Sequence, residues 1–410
     1  MRATSLALFA LQAASAALAS PVTVRQTTVV PTDPAEALVQ LQALAQEALE
    51  TAQEAVSNTT SSTKRDVCTL FNLKIRREWG AFSKNEKLDY INAVKCLQSK
   101  PAKTPATVAP GAKTRYDDFV AVHVQQTMEI HYTGSFLSWH RYFIWTFEKA
   151  LQDECGYKGT LPYWDWSKTA VTGLSKSPIF DGTATSMSGD GAFVANKGNI
   201  ILGANGDLPP IVLPSGTGGG CVTSGPFKDM KVNLGPVSLD TPGGITASNP
   251  NGPLAYNPRC LKRDLTDKIN KDYANSTAIL SVILQPQDID TFQMKLQGVP
   301  GSGNIGVHGG GHYSMGGDPG RDVFTSPGDP AFWLHHGQID RTWWLWQMLN
   351  PVKRAQGTSA VAGTITFMNA PPSRQTTIED IVNLGYAGNP TFKIKDLLST
   401  TSGPFCYVYL

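Results

Sequence analysis

Seven histidines, all within two short windows, are the residues of this chain best suited to chemistry. The window 123–140 holds three of them and the window 308–336 holds four, in a chain of 410 residues. Imidazole is the commonest metal ligand among side chains, and clusters of it suit zinc, copper, iron or nickel. Two groups of about three imidazoles therefore predict two metal ions. The histidines are His123, His131, His140, His308, His312, His335 and His336.

The first window is predicted to be two helices joined by a loop. RYDDFVAVHVQQTM places His123 on one helix, and FLSWHRYFIWTFEKALQDE places His140 near the start of the next. Thr133 and Gly134 break the helical pattern, so we expect His131 to project from the connecting loop. Three neutral imidazoles held in this way leave coordination positions open for an exogenous ligand.

The second window contributes two further helical segments. His308 and His312 are four residues apart, the spacing that directs two imidazoles to one metal. The three glycines between them are poor helix formers, which makes sense if bulk must be absent beside the metal.

The stretch DPAFWLHHGQIDRTWW predicts a helix capped by Asp329. Phe332, His336 and Ile339 share one face of that helix. Because His335 points about 100° away from His336, we expect at most one of the two to face the core squarely.

The first 65 residues are expected to be removed from the working protein. Residues 1–19 are typical of a secretory signal peptide, and 20–65 are predicted to be a propeptide that ends in the dibasic pair Lys64-Arg65. A solvated charged turn is the alternative interpretation of that pair. An amphipathic helix is predicted within the propeptide, as far as about Val56. Residues 66–410 then form a single catalytic domain that is soluble and secreted.

The cysteines and the charge support this assignment. The formal net charge of +2, without a basic tract, argues against nucleic acid or a membrane surface as a partner. Asn275 begins a glycosylation sequon. Residues 167–258 are predicted to be a long irregular excursion with a few short strands. Six cysteines in an exported protein suggest three disulfides. Among the fifteen possible pairings we favour Cys68–Cys406, Cys96–Cys155 and Cys221–Cys260.

The histidine motifs resemble those of the tyrosinase and catechol oxidase (polyphenol oxidase) family. FLSWHR and its companions resemble the first copper site, and DPAFWLHHGQID resembles the second. The resemblance covers most of residues 66–410, including REW, the YWDW loop and the terminal YVY. It implies a mainly α fold, in which a four-helix bundle with long irregular loops holds a binuclear type 3 copper centre. The implied copper ligands are His123, His131, His140, His308, His312 and His336.

The resemblance also implies a reaction and a set of supporting residues. Members of this type oxidise o-diphenols to o-quinones with dioxygen, form water, and use two copper ions without an organic cofactor. His335 and Asp340 would support the ligands from behind, together with backbone carbonyls. Dioxygen and small phenols are the expected partners, and the sequence does not fix the oligomeric state.

Departures from the family pattern favour diphenol oxidation over monophenol hydroxylation. Gly309 stands where efficient monophenol hydroxylases have Asn, and Gln297 where they have an upstream Glu. Neither residue can act as a strong base. Val323 and Tyr313 are expected to line the entrance, with ordinary packing as the alternative, and Glu129 replaces a cysteine that forms a thioether in many members.

Other functions remain as alternatives at this point. A tyrosinase with substantial monophenolase or o-aminophenol oxidase activity would use the same ligands, and so would a haemocyanin-like oxygen carrier. The carrier would need a domain that blocks substrate access, and none is visible. A zinc hydrolase would need a glutamate base near the ligands, where the second site has only glycines.

Overall fold

The protein is built around a bundle of four helices. The computed structural model describes residues 29–57, 68–203 and 208–410. The α-helices are α1 (Pro34–Ser57), α2 (Lys84–Ser99), α3 (Arg115–Ile130), α4 (Phe136–Cys155), α5 (Trp166–Thr172), α6 (Asp267–Tyr273), α7 (Ser276–Leu284), α8 (Ile289–Gln297), α9 (Gly306–Met315), α10 (Ala331–Met348) and α11 (Pro351–Arg354). In the bundle α3 packs on α4, α4 on α10, and α10 on α9. The predicted mainly α fold is confirmed.

Local sequence signals explain where the bundle helices begin. Thr114 and Asp117 form a capping box at the start of α3, in which each side chain accepts a hydrogen bond from the other's backbone N–H. Asp329 accepts a hydrogen bond from the backbone N–H of Ala331 at the start of α10 (2.8 Å). The Asp329 carboxylate also forms a fully buried ion pair with Arg263. These contacts fix the ends of the two helices that carry His123 and His336.

Strands are short and occur in pairs outside the bundle. They are β1 (Lys74–Arg76), β2 (Gly191–Phe193), β3 (Ile200–Leu202), β4 (Ile211–Leu213), β5 (Gly219–Val222), β6 (Lys231–Val232), β7 (Leu239–Thr241), β8 (Ile245–Ala247), β9 (Arg259–Cys260), β10 (Ile381–Leu384), β11 (Gly388–Lys393) and β12 (Tyr407–Tyr409). The parallel pair β1–β12 joins the two ends of the domain, and the antiparallel pairs are β2–β5, β3–β4, β6–β9, β7–β8 and β10–β11. Several of these pairs lie in the excursion after α5, as predicted.

All three predicted disulfides are present. Cys68–Cys406 ties the ends of the domain beside β1 and β12, Cys96–Cys155 joins α2 to α4, and Cys221–Cys260 closes the loop between β5 and β9. No helix in the described parts of the chain is long and apolar enough to cross a membrane.

The predicted helix of the N-terminal segment is confirmed, and it is docked on the domain. Leu41, Leu44 and Leu49 of α1 are buried against α7, α10 and β12. The Ser276 hydroxyl donates a hydrogen bond to the Pro34 carbonyl (2.6 Å) and so fixes the start of α1. The signal peptide 1–19 and the pair Lys64-Arg65 lie outside the described residues.

The packing of α1 predicts that it stabilises the domain. Leu44 is 2% exposed and adjoins Leu345 and Leu349 of the α10 end. In a protein that retains residues 34–57, the substitution Leu44→Ala should lower the free energy of unfolding by about 2–3 kcal/mol, because it removes buried methyl groups and leaves a cavity. Urea denaturation measures this. Val39→Ala on the exposed face should change it by less than about 0.5 kcal/mol. Equal effects of the two substitutions would contradict the docking of α1.

Candidate metal centre

The bundle brings the seven histidines together as two adjoining groups. His123 lies on α3, His131 immediately follows the end of α3, and His140 lies on α4. One ligand atom from each of these three lies within 4.8 Å of the others, and the same holds for the four histidines of α9 and α10. The ring centroids of His140 and His336 are 4.6 Å apart, which places the two groups in contact. Both predicted sets of three are therefore assembled.

Backbone carbonyls hold the rings in a common orientation. The Nδ1 atom of His123 lies 2.8 Å from the Phe324 carbonyl, and that of His312 lies 2.9 Å from the Gly320 carbonyl. Nδ1 of His131 and Nδ1 of His140 contact the carbonyls four residues earlier, at 3.0 and 2.8 Å. Such a contact fixes the proton on Nδ1 and leaves Nε2 as a donor to metal.

The Nε2 atoms of three of the six expected ligands have no hydrogen-bond partner and are available to bind metal. Those of His123, His140 and His308 are buried without a hydrogen-bond partner, which is costly unless an ion occupies the space between them. Nε2 of His336 lies 3.4 Å from Nε2 of His312, so these two atoms also face one region. Two sets of three imidazoles with their ligand atoms this close together fit copper, for which imidazole is a suitable ligand in both oxidation states.

Burial keeps these imidazoles neutral. Removal from water lowers the pKa of His131 and of His312 from the ordinary 6.5 to about 4. The same cause lowers the pKa of each of the other five histidines well below 6.5. Neutral imidazole is the form that ligates metals, so at neutral pH no proton has to be displaced before an ion binds.

The expectation that only one of His335 and His336 faces the core is wrong. Both are buried, because α10 runs through the centre of the domain and every residue from 331 to 347 is buried. The His335 ring packs against Trp166 and His312, with centroids 5.2 and 4.5 Å away. His335 thus lies beside His312 and belongs to the same group of four histidines.

The glycines of α9 allow neighbouring side chains to pack closely against the helix. A Cβ atom at Gly311 would overlap the His335 ring, and one at Gly309 would lie 2.9 Å from Cβ of Ile305. A Cβ atom at Gly310 would lie 3.0 Å from Cβ of Tyr273. Bulk is therefore excluded by the packing around α9, which at Gly311 is the packing of the histidine group itself.

Asp340 does not orient an imidazole, and its predicted role is corrected. Its Oδ1 accepts from Arg141 (2.6 Å), and its Oδ2 accepts from the hydroxyls of Tyr407 and Tyr409 (2.6 and 2.5 Å). Arg76 also lies 3.5 Å from Oδ2. Asp340 lies one turn beyond His336, where its carboxylate is taken up by arginines and by the tyrosines of β12 instead of by a histidine. Backbone carbonyls orient the imidazoles, a role that was expected of the carbonyls together with Asp340.

A cavity of about 310 Å³ opens onto the histidines. His131, His308 and His312 line its inner end, together with Gly309, and the predicted entrance residues Val323 and Tyr313 line its sides. The Tyr313 hydroxyl donates to the Asp240 carboxylate (2.6 Å), an interaction that the sequence did not indicate.

Gln297 also lines the cavity, but its side chain serves the His131 loop. Its Oε1 accepts from the Tyr132 backbone N–H (2.8 Å), and its carbonyl accepts from the Tyr132 hydroxyl (2.8 Å). Tyr132 has a positive φ of 50°, so these bonds stabilise a backbone conformation that is unusual for a non-glycine residue. Gln297 therefore positions the segment next to His131.

Fold and site together define a class: helical-bundle proteins with two adjoining three-histidine metal sites. The family model described as the common central domain of tyrosinase matches residues 113–349. Tyrosinase P of Aspergillus terreus is 43% identical over 337 residues, which cover 82% of this chain and 91% of that protein. The N-acetyl-6-hydroxytryptophan oxidase of Emericella nidulans is 41% identical over 354 residues, which cover 83% and 93% of the two chains.

A solved structure shares the whole architecture. The polyphenol oxidase of Thermothelomyces thermophila, in a glycine-to-asparagine variant, superposes with a TM-score of 0.82 at 46% identity. The match covers 93% of this chain and 99% of that one. This chain belongs to the tyrosinase family. Membership implies a copper oxidoreductase with a binuclear copper site, which uses dioxygen and phenolic substrates.

The contact between Gly311 and His335 gives a prediction for metal binding. Gly311→Ala should weaken copper binding by about tenfold or more, because the new methyl group displaces His335 and with it His312. Copper titration of the metal-free protein measures the affinity. Gly310→Ala is the matched control, since the atoms nearest its Cβ belong to Tyr273 and Ala274, at 3.0 and 3.2 Å, and not to a histidine.

A double variant tests the cause of that loss. Gly311→Ala combined with His335→Ala should recover most of the copper affinity, because the methyl group then has room. Recovery would also show that His335 is not itself a required ligand. Failure to recover, with a folded protein, would contradict the proposed placement of His335.

Proposed function

We propose that the protein oxidises o-diphenols to o-quinones with dioxygen and hydroxylates monophenols weakly or not at all. The observation that carries this proposal is the cavity. Two sets of buried, neutral imidazoles adjoin its inner end, and no carboxylate is among its lining residues in the described parts of the chain.

The six proposed copper ligands are divided between the two metals. His123, His131 and His140 would hold one ion, and His308, His312 and His336 the other. Two copper ions bound here supply a two-electron oxidant that dioxygen regenerates. Each o-diphenol loses two electrons and two protons, and one dioxygen accepts the electrons and protons of two diphenols to give two quinones and two waters. The Nδ1 contacts to backbone carbonyls keep the imidazoles oriented throughout.

The lack of a carboxylate among the described lining residues of the cavity supports diphenols as substrates. A monophenol must be deprotonated before it can be hydroxylated, and a positioned base contributes about 10²–10⁴-fold to such a step. Gly309 has no side chain, and the Oε1 of Gln297 already accepts from Tyr132. The described residues lining the cavity therefore offer no group that could hold or activate a water as a carboxylate would.

We also propose that the protein is secreted and processed. The signal peptide 1–19, the propeptide 20–65 and the catalytic domain 66–410 remain predictions. Three disulfides support an oxidising compartment. A glycan at Asn275 remains a prediction as well, and there the side-chain amide already donates to the Lys271 carbonyl (2.6 Å) and caps α7.

Turnover of paired substrates tests the proposed reaction. The copper-loaded protein should consume one dioxygen per two catechols and form the quinone, whereas phenol should react at least about 100-fold more slowly because no base is available. An oxygen electrode and quinone absorbance measure both rates. His308→Ala serves as a control that should lose catechol oxidation, since it removes a ligand of one copper.

Two outcomes would contradict the proposal. Phenol turnover at a rate comparable to that of catechol would assign a monophenolase instead. Reversible uptake of dioxygen without catechol oxidation would indicate an oxygen carrier. The open cavity beside His308, with Val323 38% exposed at its side, argues against a carrier because substrate can enter it.

A further inference from the structure

The cavity continues outward as an apolar groove. Its outer walls are formed by Leu208, Pro209, Val299, Pro300, Val323 and Met368, which come from separate segments of the chain. We call these six residues the mouth groove. Its inner end is the ligand group itself, because His131, His308 and His312 line the same cavity. A molecule whose reacting ring reaches the histidines through this cavity has its remaining part beside this groove.

Large apolar side chains are exposed in the mouth groove. Leu208 is 49% exposed, Val299 48%, Met368 44% and Val323 38%. Exposed apolar residues scattered singly need no explanation, whereas a cluster of them at the entrance of a cavity marks a binding surface. Ile305 packs with Ile200 and Leu213 in a small apolar cluster separate from the main core.

Most polar side chains around the groove are already engaged with the protein. Gln297 and Tyr132 bond to each other, and the Tyr313 hydroxyl donates to Asp240. Arg321 is the one charged residue among the described lining residues. Its Nε donates to the Asp240 carbonyl (2.7 Å), and its Nη1 lies 4.0 Å from the Asp264 carboxylate. Among the described residues the groove thus offers mainly apolar surface, and its one charge, on Arg321, is engaged with Asp240 and Asp264.

The size of the cavity leaves room beyond the reacting ring. A cavity of about 150 Å³ is enough to bind benzene, and this one measures about 310 Å³. A catechol ring at the histidines would therefore fill roughly half of the space. The remaining half adjoins the apolar walls.

We propose that the preferred substrates are o-diphenols with a neutral, bulky apolar substituent, which the mouth groove binds while the diphenol ring lies at the histidines. Zwitterionic amino-acid phenols are disfavoured, because their ammonium and carboxylate groups would lose hydration against apolar walls without gaining a partner. This inference rests on the proposed function, since it names the substrate class of the same site.

Steady-state kinetics with three substrates test the selectivity. The copper-loaded protein should show a kcat/KM for 4-tert-butylcatechol about tenfold or more above that for catechol, and lowest for L-3,4-dihydroxyphenylalanine. The double variant Val299→Thr/Met368→Gln makes the groove polar at nearly constant size. It should lower the ratio of kcat/KM between 4-tert-butylcatechol and catechol about fivefold. Val352→Thr, at a 75% exposed valine on α11, is the matched control and should leave the ratio unchanged.

A binding measurement separates this inference from the proposed reaction. Calorimetry of 4-tert-butylphenol with the metal-free protein should show a negative heat-capacity change, and the double variant should bind about fivefold more weakly. Catechol oxidation with an unchanged ratio and unchanged binding would overturn the groove while the proposed function stands. Binding of 4-tert-butylphenol without any catechol oxidation would overturn the proposed function while the groove stands. A preference for dihydroxyphenylalanine within an apolar peptide over 4-tert-butylcatechol would assign the groove to polypeptides and overturn the proposal.

Discussion

The structure depends on keeping several imidazoles buried, neutral and aimed at one place. Each ring must give up water, and burial lowers the pKa of each of the seven histidines, to about 4 for His131 and His312. Hydrogen bonds from Nδ1 to backbone carbonyls offset part of that cost and leave Nε2 for metal. Because the acceptors are carbonyls of helices and tight turns, the rings are only as well placed as the bundle is rigid. The capping boxes, the disulfides and the buried Arg263–Asp329 pair therefore serve the site directly.

Asp340 shows how the bundle is tied to the rest of the domain. Its carboxylate accepts from Arg76 and Tyr409, which pair in the β1–β12 ladder, and from Arg141 on α4 and Tyr407. A charge this deeply buried is tolerated only when its hydrogen-bonding capacity is satisfied. The same cluster thus holds α10, α4 and both ends of the domain in one arrangement. It acts one helical turn away from His336, without touching a ligand.

Sequence reasoning was most successful where the signal is local. The clustering of histidines, the four-residue spacing of His308 and His312, and the break at Gly134 are all visible in short windows, and they predicted two sites on a helical framework. It failed where a residue's role depends on distant partners. Nothing near Asp340 reveals Tyr407. An amphipathic helix was assumed where α10 is in fact buried on all sides, so the burial of both His335 and His336 was not expected. Backbone carbonyl acceptors such as that of Phe324 leave no trace in residue types. Likewise, the apolar spacing of α1 predicted a helix but could not indicate what it packs against.

Copper stoichiometry tests the central claim most directly. Equilibrium dialysis of the metal-free protein against copper should give two ions per chain. Replacing His123 and His140 together by alanine should leave one ion, held by the α9 and α10 histidines. This outcome would establish two separate metal sites, one in each histidine group. The groups adjoin each other where His140 meets His336. Binding of a single ion by the unaltered protein, or complete loss of copper in a folded double variant, would contradict the account.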